Sequence, residues 1–361
     1  MLTKTSVRKA FFGVHRRHGP LSALASLPPN TALHRTPATA SLSPVSFQTL
    51  GGLSRRSGLQ IASRVALGII LAFNSRIFAQ SPPGFPTPEG IRELRVARID
   101  GTIPIYRSRG VTKAEAADLQ VLMTACVAKY HSALRKPPKV ELAILDPGAW
   151  KRVSGLPYGL PHHNAAVSPA VVLVPTTAPT MFGNVGVRPD RLDRFFHLLA
   201  LHELGHVLMY AIVDVDPATA WDQGHFPEWY PEFTANYIGL SCLSDRPAEA
   251  RLFRGSEASL RASPRPSFTG LDDFPKVLTM QTGEGAPYAL TSIGAAHFAW
   301  YQRLVTEAAG RVQKRLGAGF VPLLRTQWSR QRPVTTADII KDLSESNPGL
   351  ASWLQSFGAI P

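Results

Sequence analysis

A chain of 361 residues with 44% apolar side chains is long enough to build one large domain or two lobes around a real core. Its formal charge of +14 suggests a nucleic-acid partner until the distribution is read: residues 1–79 hold ten Lys and Arg and no Asp or Glu, leaving +4 for the other 282 residues. So small an excess over a whole domain excludes a charge-based case for a phosphate-binding surface, and no nucleic-acid partner is expected.

Residues 1–63 are rich in Ser, Thr and Pro around Thr36–Pro44 and show no periodic pattern, so they read as a disordered leader or as a stretch ahead of a true start downstream of Met1. Arg64 then precedes the apolar run Val65–Phe73, which ends in Ile77-Phe78-Ala79. That pattern predicts a signal peptide over 64–79 with cleavage near Ala79, and hence a secreted or periplasmic protein. The run is too short to leave a stable membrane span, which takes about 20 residues. A Pro-rich linker follows over 80–90, and the folded domain is expected over 91–361.

Within that domain, Leu94–Tyr106 reads as a strand or hairpin turning at Asp100-Gly101. Thr112 and Glu115 form a capping box ahead of Ala116, Leu119, Leu122, Met123, Cys126, Val127, Tyr130 and Leu134, which recur at helical spacing. Val140–Leu145 and Ala170–Val174 are short apolar runs bounded by Pro and read as strands, the second as an edge strand able to pair with an extended peptide. A long helix is expected from about Arg188, with Pro189, Asp190 and Asp193 near its start, running through Phe195 and Leu199 to Met209. Another begins near Pro231, and further helices are predicted over 288–308, 311–329 and 335–357. Strands first and helices after predict an α+β lobe leading into a helical lobe. Two cysteines, Cys126 and Cys242, are too few for a disulfide framework and lack zinc-finger spacing; one bridge and two buried thiols both fit.

The long helix carries His202-Glu203-Leu204-Gly205-His206, a match to H-E-x-x-H. Residues four apart share a helical face, so the two imidazoles can converge on one zinc ion, while Glu203, one step round, can reach a metal-activated water without ligating the metal. A third protein ligand is needed, and Asp214, Asp216, Asp222, His225, Glu228 and Glu232 all follow within reach. Glu232 is favoured by context, because Pro231 starts a helix and puts the carboxylate in a rigid first turn. Asn236, one turn further, is placed to accept a hydrogen bond from one ligand histidine.

H-E-x-x-H followed by a helix reading W-x-x-E-x-x-A-x-Y, here Trp229 to Tyr237, resembles the gluzincin zinc metallopeptidases, specifically the peptidase MA-like group related to zinc aminopeptidases. The resemblance spans roughly residues 95–357 and is specific at 202–206 and 229–237. It implies a zincin-like, thermolysin-type α+β fold, hydrolysis of peptide bonds in a peptide or protein substrate, Zn2+ as cofactor, and Glu232 as the third ligand. Ala286–Ala295 resembles the family helix whose Tyr donates to the oxyanion, which makes Tyr288 the candidate. The tail from Ile339 to Trp353 resembles the closing helices. The G-x-M-E-N segment that holds a free amino terminus is absent, so aminopeptidase activity is not implied, and the Gly and His that metzincins carry after the motif are missing. Asn236 stands where an acid would give a harder outer shell. The alternative to a peptidase is a catalytically weak or inactive zincin-fold binding module.

Overall fold

The computed structural model describes residues 85–156, 158–176, 195–217, 224–263, 265–266, 269–274 and 292–361. The expected leader and signal peptide, the start of the long helix before residue 195, Asp222 and Tyr288 lie outside the described residues.

Packing begins ahead of Ile91. Pro86 and Pro88 are buried, and Thr87 caps a short helix α1 (Pro88–Glu93) by accepting from the Gly90 amide. Asn164 Nδ2 also donates to the Pro86 carbonyl at 3.0 Å. Residues 85–90, expected as linker, are therefore built into the fold.

Strands β1 (Ala97–Ile99) and β2 (Ile105–Arg107) form an antiparallel hairpin with Ile99 opposite Ile105. Helix α2 (Lys113–Lys129) starts at a complete capping box, with the Glu115 amide donating to Thr112 Oγ1 and the Thr112 amide to Glu115 Oε2. Strand β3 (Val140–Leu145), helix α3 (Pro147–Val153), and strands β4 (His162–Asn164) and β5 (Ala170–Pro175) follow. The sheet order is β1-β2-β3-β5-β4, with β2, β3 and β5 parallel and β4 antiparallel to β5, His163 facing Val172.

Both central strands are buried along their whole length because both sheet faces are covered. Leu142, Ile144, Val172 and Val174 pack with α2 and with the long helix α4 (Phe195–Val213). Ala143, Leu145, Val171 and Leu173 pack with Ile91 of α1 and Trp150 of α3. Full burial of one such Val, Leu or Ile contributes roughly 1.5–3 kcal/mol, so this apolar contact, and not the polar groups further along, anchors α4 to the sheet. Leu201, Leu204 and Leu208 of α4 are fully buried. By length and composition α4 could cross a membrane, but most of it is enclosed by the fold.

One expectation is corrected here. Ala170–Val174 is a strand but not an edge: β5 has β3 on one side and β4 on the other. A wholly apolar six-residue run is what an interior strand needs, and the edge beyond it falls to the three polar residues of β4.

The helical part comprises α5 (Trp229–Cys242), α6 (Pro247–Arg254), α7 (Glu257–Ala262), α8 (Ser292–Leu316), α9 (Phe320–Trp328), α10 (Thr336–Ser346) and α11 (Gly349–Gln355). Two expected boundaries move. Helix α8 runs unbroken through 308–311, where Gly310 lets the Arg254 side chain lie across the helix to reach Glu307 at 2.7 Å. The expected helix over 335–357 is instead two, broken at Asn347 (φ −139°), since the residue before a proline is pushed out of the helical region. Cys126 and Cys242 form a disulfide that ties α2 to the end of α5.

Candidate metal centre

Helices α4 and α5 meet at Gly205, where a Cβ would lie 2.5 Å from the Ala235 carbonyl oxygen and 2.8 Å from its Cα. The glycine inside H-E-x-x-H thus allows the backbone approach that brings Glu232 against the histidines. His202 Nε2 lies 3.3 Å from His206 Nε2 and 3.2 Å from Glu232 Oε2, and His206 Nε2 lies 3.5 Å from Glu232 Oε1.

These separations test the fit of a metal. A tetrahedral zinc with ligands at about 2.0–2.1 Å needs its donors roughly 3.3–3.4 Å apart. The two imidazole nitrogens have that spacing, and each lies close to it from one oxygen of the Glu232 carboxylate, His202 from Oε2 and His206 from Oε1. The tautomer fits as well: His202 Nδ1 donates to Asn236 Oδ1 at 2.9 Å, which leaves the Nε2 lone pair for a cation. Gln302 Nε2, reaching across from α8, donates to Glu232 Oε2 at 2.8 Å and fixes the carboxylate.

The electrostatics favour positive charge. Burial would raise the Glu232 carboxyl, but the charges and hydrogen bonds of His206 and His202 outweigh it and hold the group well below its usual range. Burial opposes the charged form of His202, yet the hydrogen bond and charge of Glu232 push its imidazole up to about 9. His206, more deeply enclosed, is held below the ordinary histidine value by burial.

Glu203 stands beside this set. It is buried, which alone would raise its carboxyl, but a hydrogen bond from His163 and the neighbouring imidazoles lower it and keep it ionised. His163 Nδ1 donates to Glu203 Oε2 at 2.8 Å from strand β4, and its ring stacks on His206 with centroids 4.7 Å apart and planes 16° from parallel. His163, Glu203 and His206 form a second cluster within metal-ligand range. Stacked rings, however, aim their in-plane lone pairs side by side and not at a common point, so this cluster is poorly formed for a cation of its own. His162, the preceding residue, points the other way: it is buried against Trp150, bonded to Ser154 Oγ and the Leu160 carbonyl, and pushed down to about 4 by burial.

Of the six downstream candidates for a third ligand, the structure brings Glu232 to both histidines. Asp214 is an exposed partner of Arg135. His225 stacks on Trp328, with Nε2 3.3 Å from the Gln327 carbonyl oxygen. His163 and Gln302 were not singled out by sequence. For His163 the available signal was a histidine pair just before an apolar strand; for Gln302 there was none.

No protein-family model, curated protein or solved structure matches the chain.

Proposed function

We propose that the chain is an exported zinc-dependent peptidase of the zincin-like, thermolysin-type class that its two motifs resemble. The observation that carries this reading is the mutual spacing of His202 Nε2, His206 Nε2 and the Glu232 carboxylate, 3.2 to 3.5 Å, with Glu203 alongside and outside that set. Zinc held by these three residues would act as a Lewis acid on water and on the scissile carbonyl. Glu203 takes a proton from the attacking water and hands it to the leaving amine as the C–N bond breaks. Asn236 keeps the imidazole of His202 in the ligating tautomer, and Gln302 keeps Glu232 in place.

Among the described residues β4 pairs with β5 alone within the sheet, which makes it the proposed strand for pairing with the main chain of an extended peptide. Tyr288 is the proposed donor to the oxyanion. Export is supported by the disulfide, a bond that persists in oxidising compartments, and by the apolar run at 65–73 behind Arg64.

The test is metal analysis of the purified full chain together with cleavage of a broad peptide library by the parent and by Glu203→Gln. One zinc per chain is expected, with Glu203→Gln keeping the metal and losing cleavage. A chain that holds no zinc and is no less stable with chelator overturns the reading. Zinc without cleavage by the parent turns it into a zincin-fold binding module that kept its metal.

A further inference from the structure

We propose that His163 is a positioning residue for the catalytic base: its Nδ1–H holds Glu203 Oε2 and leaves the other carboxylate oxygen to work on water. The inference rests on Glu203 being that base, as proposed above. Three features of the His163–Glu203 contact carry it. The hydrogen bond is short, 2.8 Å, and made where Glu203 is buried, so it is shielded from competing water. A carboxylate can only accept, which requires His163 to carry a proton on Nδ1 and to donate it. The ring is itself held: it stacks on His206 and springs from β4, whose flanking residues His162 and Asn164 are buried and hydrogen-bonded on the opposite side. His163 thus couples the base to the sheet, while the ligands are set by α4, α5 and α8.

A base whose carboxylate must be in line with a water loses rate when it can rotate, even when the metal and the substrate still bind. The consequence is a separation of effects that a packing role would not give. His163→Phe keeps an aromatic ring against His206 and removes the donor; His163→Asn restores an N–H near the position of Nδ1.

The experiment uses the zinc-loaded full chain in two arms. In kinetics, His163→Phe is expected to lower kcat about 10- to 100-fold with KM and zinc content unchanged, and His163→Asn to recover most of the loss. Turnover by His163→Phe equal to the parent, or a loss in His163→Asn as large as in His163→Phe, overturns the proposal. In nitrogen NMR of histidine-labelled protein, His163 is expected to carry its proton on Nδ1 in the parent and to shift toward the Nε2–H tautomer in Glu203→Ala. An Nε2–H tautomer in the parent overturns it. The second arm needs no activity, so a parent that cleaves nothing would end the peptidase reading while the arrangement of His163 and Glu203 is still decided.

Discussion

His202 Nδ1 donates to Asn236 Oδ1 at 2.9 Å, one helical turn along α5 from Glu232, and this bond decides which nitrogen of His202 can meet a cation. Asn236 is buried, and among the described residues its Nδ2 has no hydrogen-bond partner. An aspartate would make the imidazole a stronger donor to metal and remove the orphaned amide hydrogens, at the cost of one more buried negative charge in a site that already holds Glu203 and Glu232. Asn236→Asp should therefore bind zinc about tenfold tighter and widen the melting-temperature gap between zinc-loaded and chelated protein, whereas Asn236→Leu should weaken zinc about 10- to 100-fold. Competition titration against a chelating dye measures both. Equal affinities in the two variants would contradict this account.

Gly205→Ala tests the crossing of α4 and α5. Alanine is the better helix former by about 1 kcal/mol, which would stabilise an exposed helix. Here the new methyl would sit 2.5 Å from the Ala235 carbonyl oxygen, and that backbone cannot rotate away as a side chain could. The steric cost should win, with a net loss of about 1–3 kcal/mol in denaturant unfolding. Because Glu232 rides on the displaced helix, zinc affinity should fall too. Unchanged stability would mean that the two helices are not locked at this point.

The ease with which these features can be read from sequence follows from the range of the interactions that make them. The capping box of Thr112 and Glu115 and the pair His202 and His206 lie within one helical turn, so spacing alone brings the side chains together. Glu232 was within reach of reasoning because Pro231 marks a helix near its start. His163 meets Glu203 across 40 residues, and only because a strand of three polar residues, too short to give an alternating pattern, takes the sheet edge that the apolar run Ala170–Val174 was expected to occupy. Gln302 meets Glu232 across 70 residues from the middle of a helix, where nothing in its neighbours distinguishes it from an ordinary half-buried amide.

Gln302→Leu should show how much that contact matters. Its Nε2 donates to the same carboxylate oxygen that lies 3.2 Å from His202 Nε2. Leucine fills the space but offers no donor, so Glu232 gains rotational freedom and loses part of its preorganisation. Zinc affinity should fall roughly 10-fold or more, with the stability of the chelated protein changed far less than in Gly205→Ala. A loss of stability with zinc binding intact would instead mark Gln302 as a packing residue.

Removing the Cys126–Cys242 bridge should separate stability from metal binding. The bridge closes a loop of 116 residues and joins α2 to the last residue of α5. In the loop-entropy view such a long closure restricts the unfolded chain strongly, and losing a native bridge typically costs about 2–5 kcal/mol. Other contacts hold the same junction: Tyr130 Oη and Ser241 Oγ are hydrogen-bonded, and Lys129 Nζ donates to the Ser241 carbonyl. The helix end should therefore stay docked when both cysteines become alanine. Glu232 is ten residues further back along α5, about 15 Å at the rise of an α-helix, so the ligand geometry should be little affected. The double variant should thus unfold at lower denaturant yet keep its zinc affinity within about threefold. Since zinc binds only the folded site, an excess of 100 times its dissociation constant restores about 2.7 kcal/mol and should offset much of the loss. Unfolding curves with and without zinc read both effects; a double variant that no longer binds zinc would show that the bridge shapes the site itself.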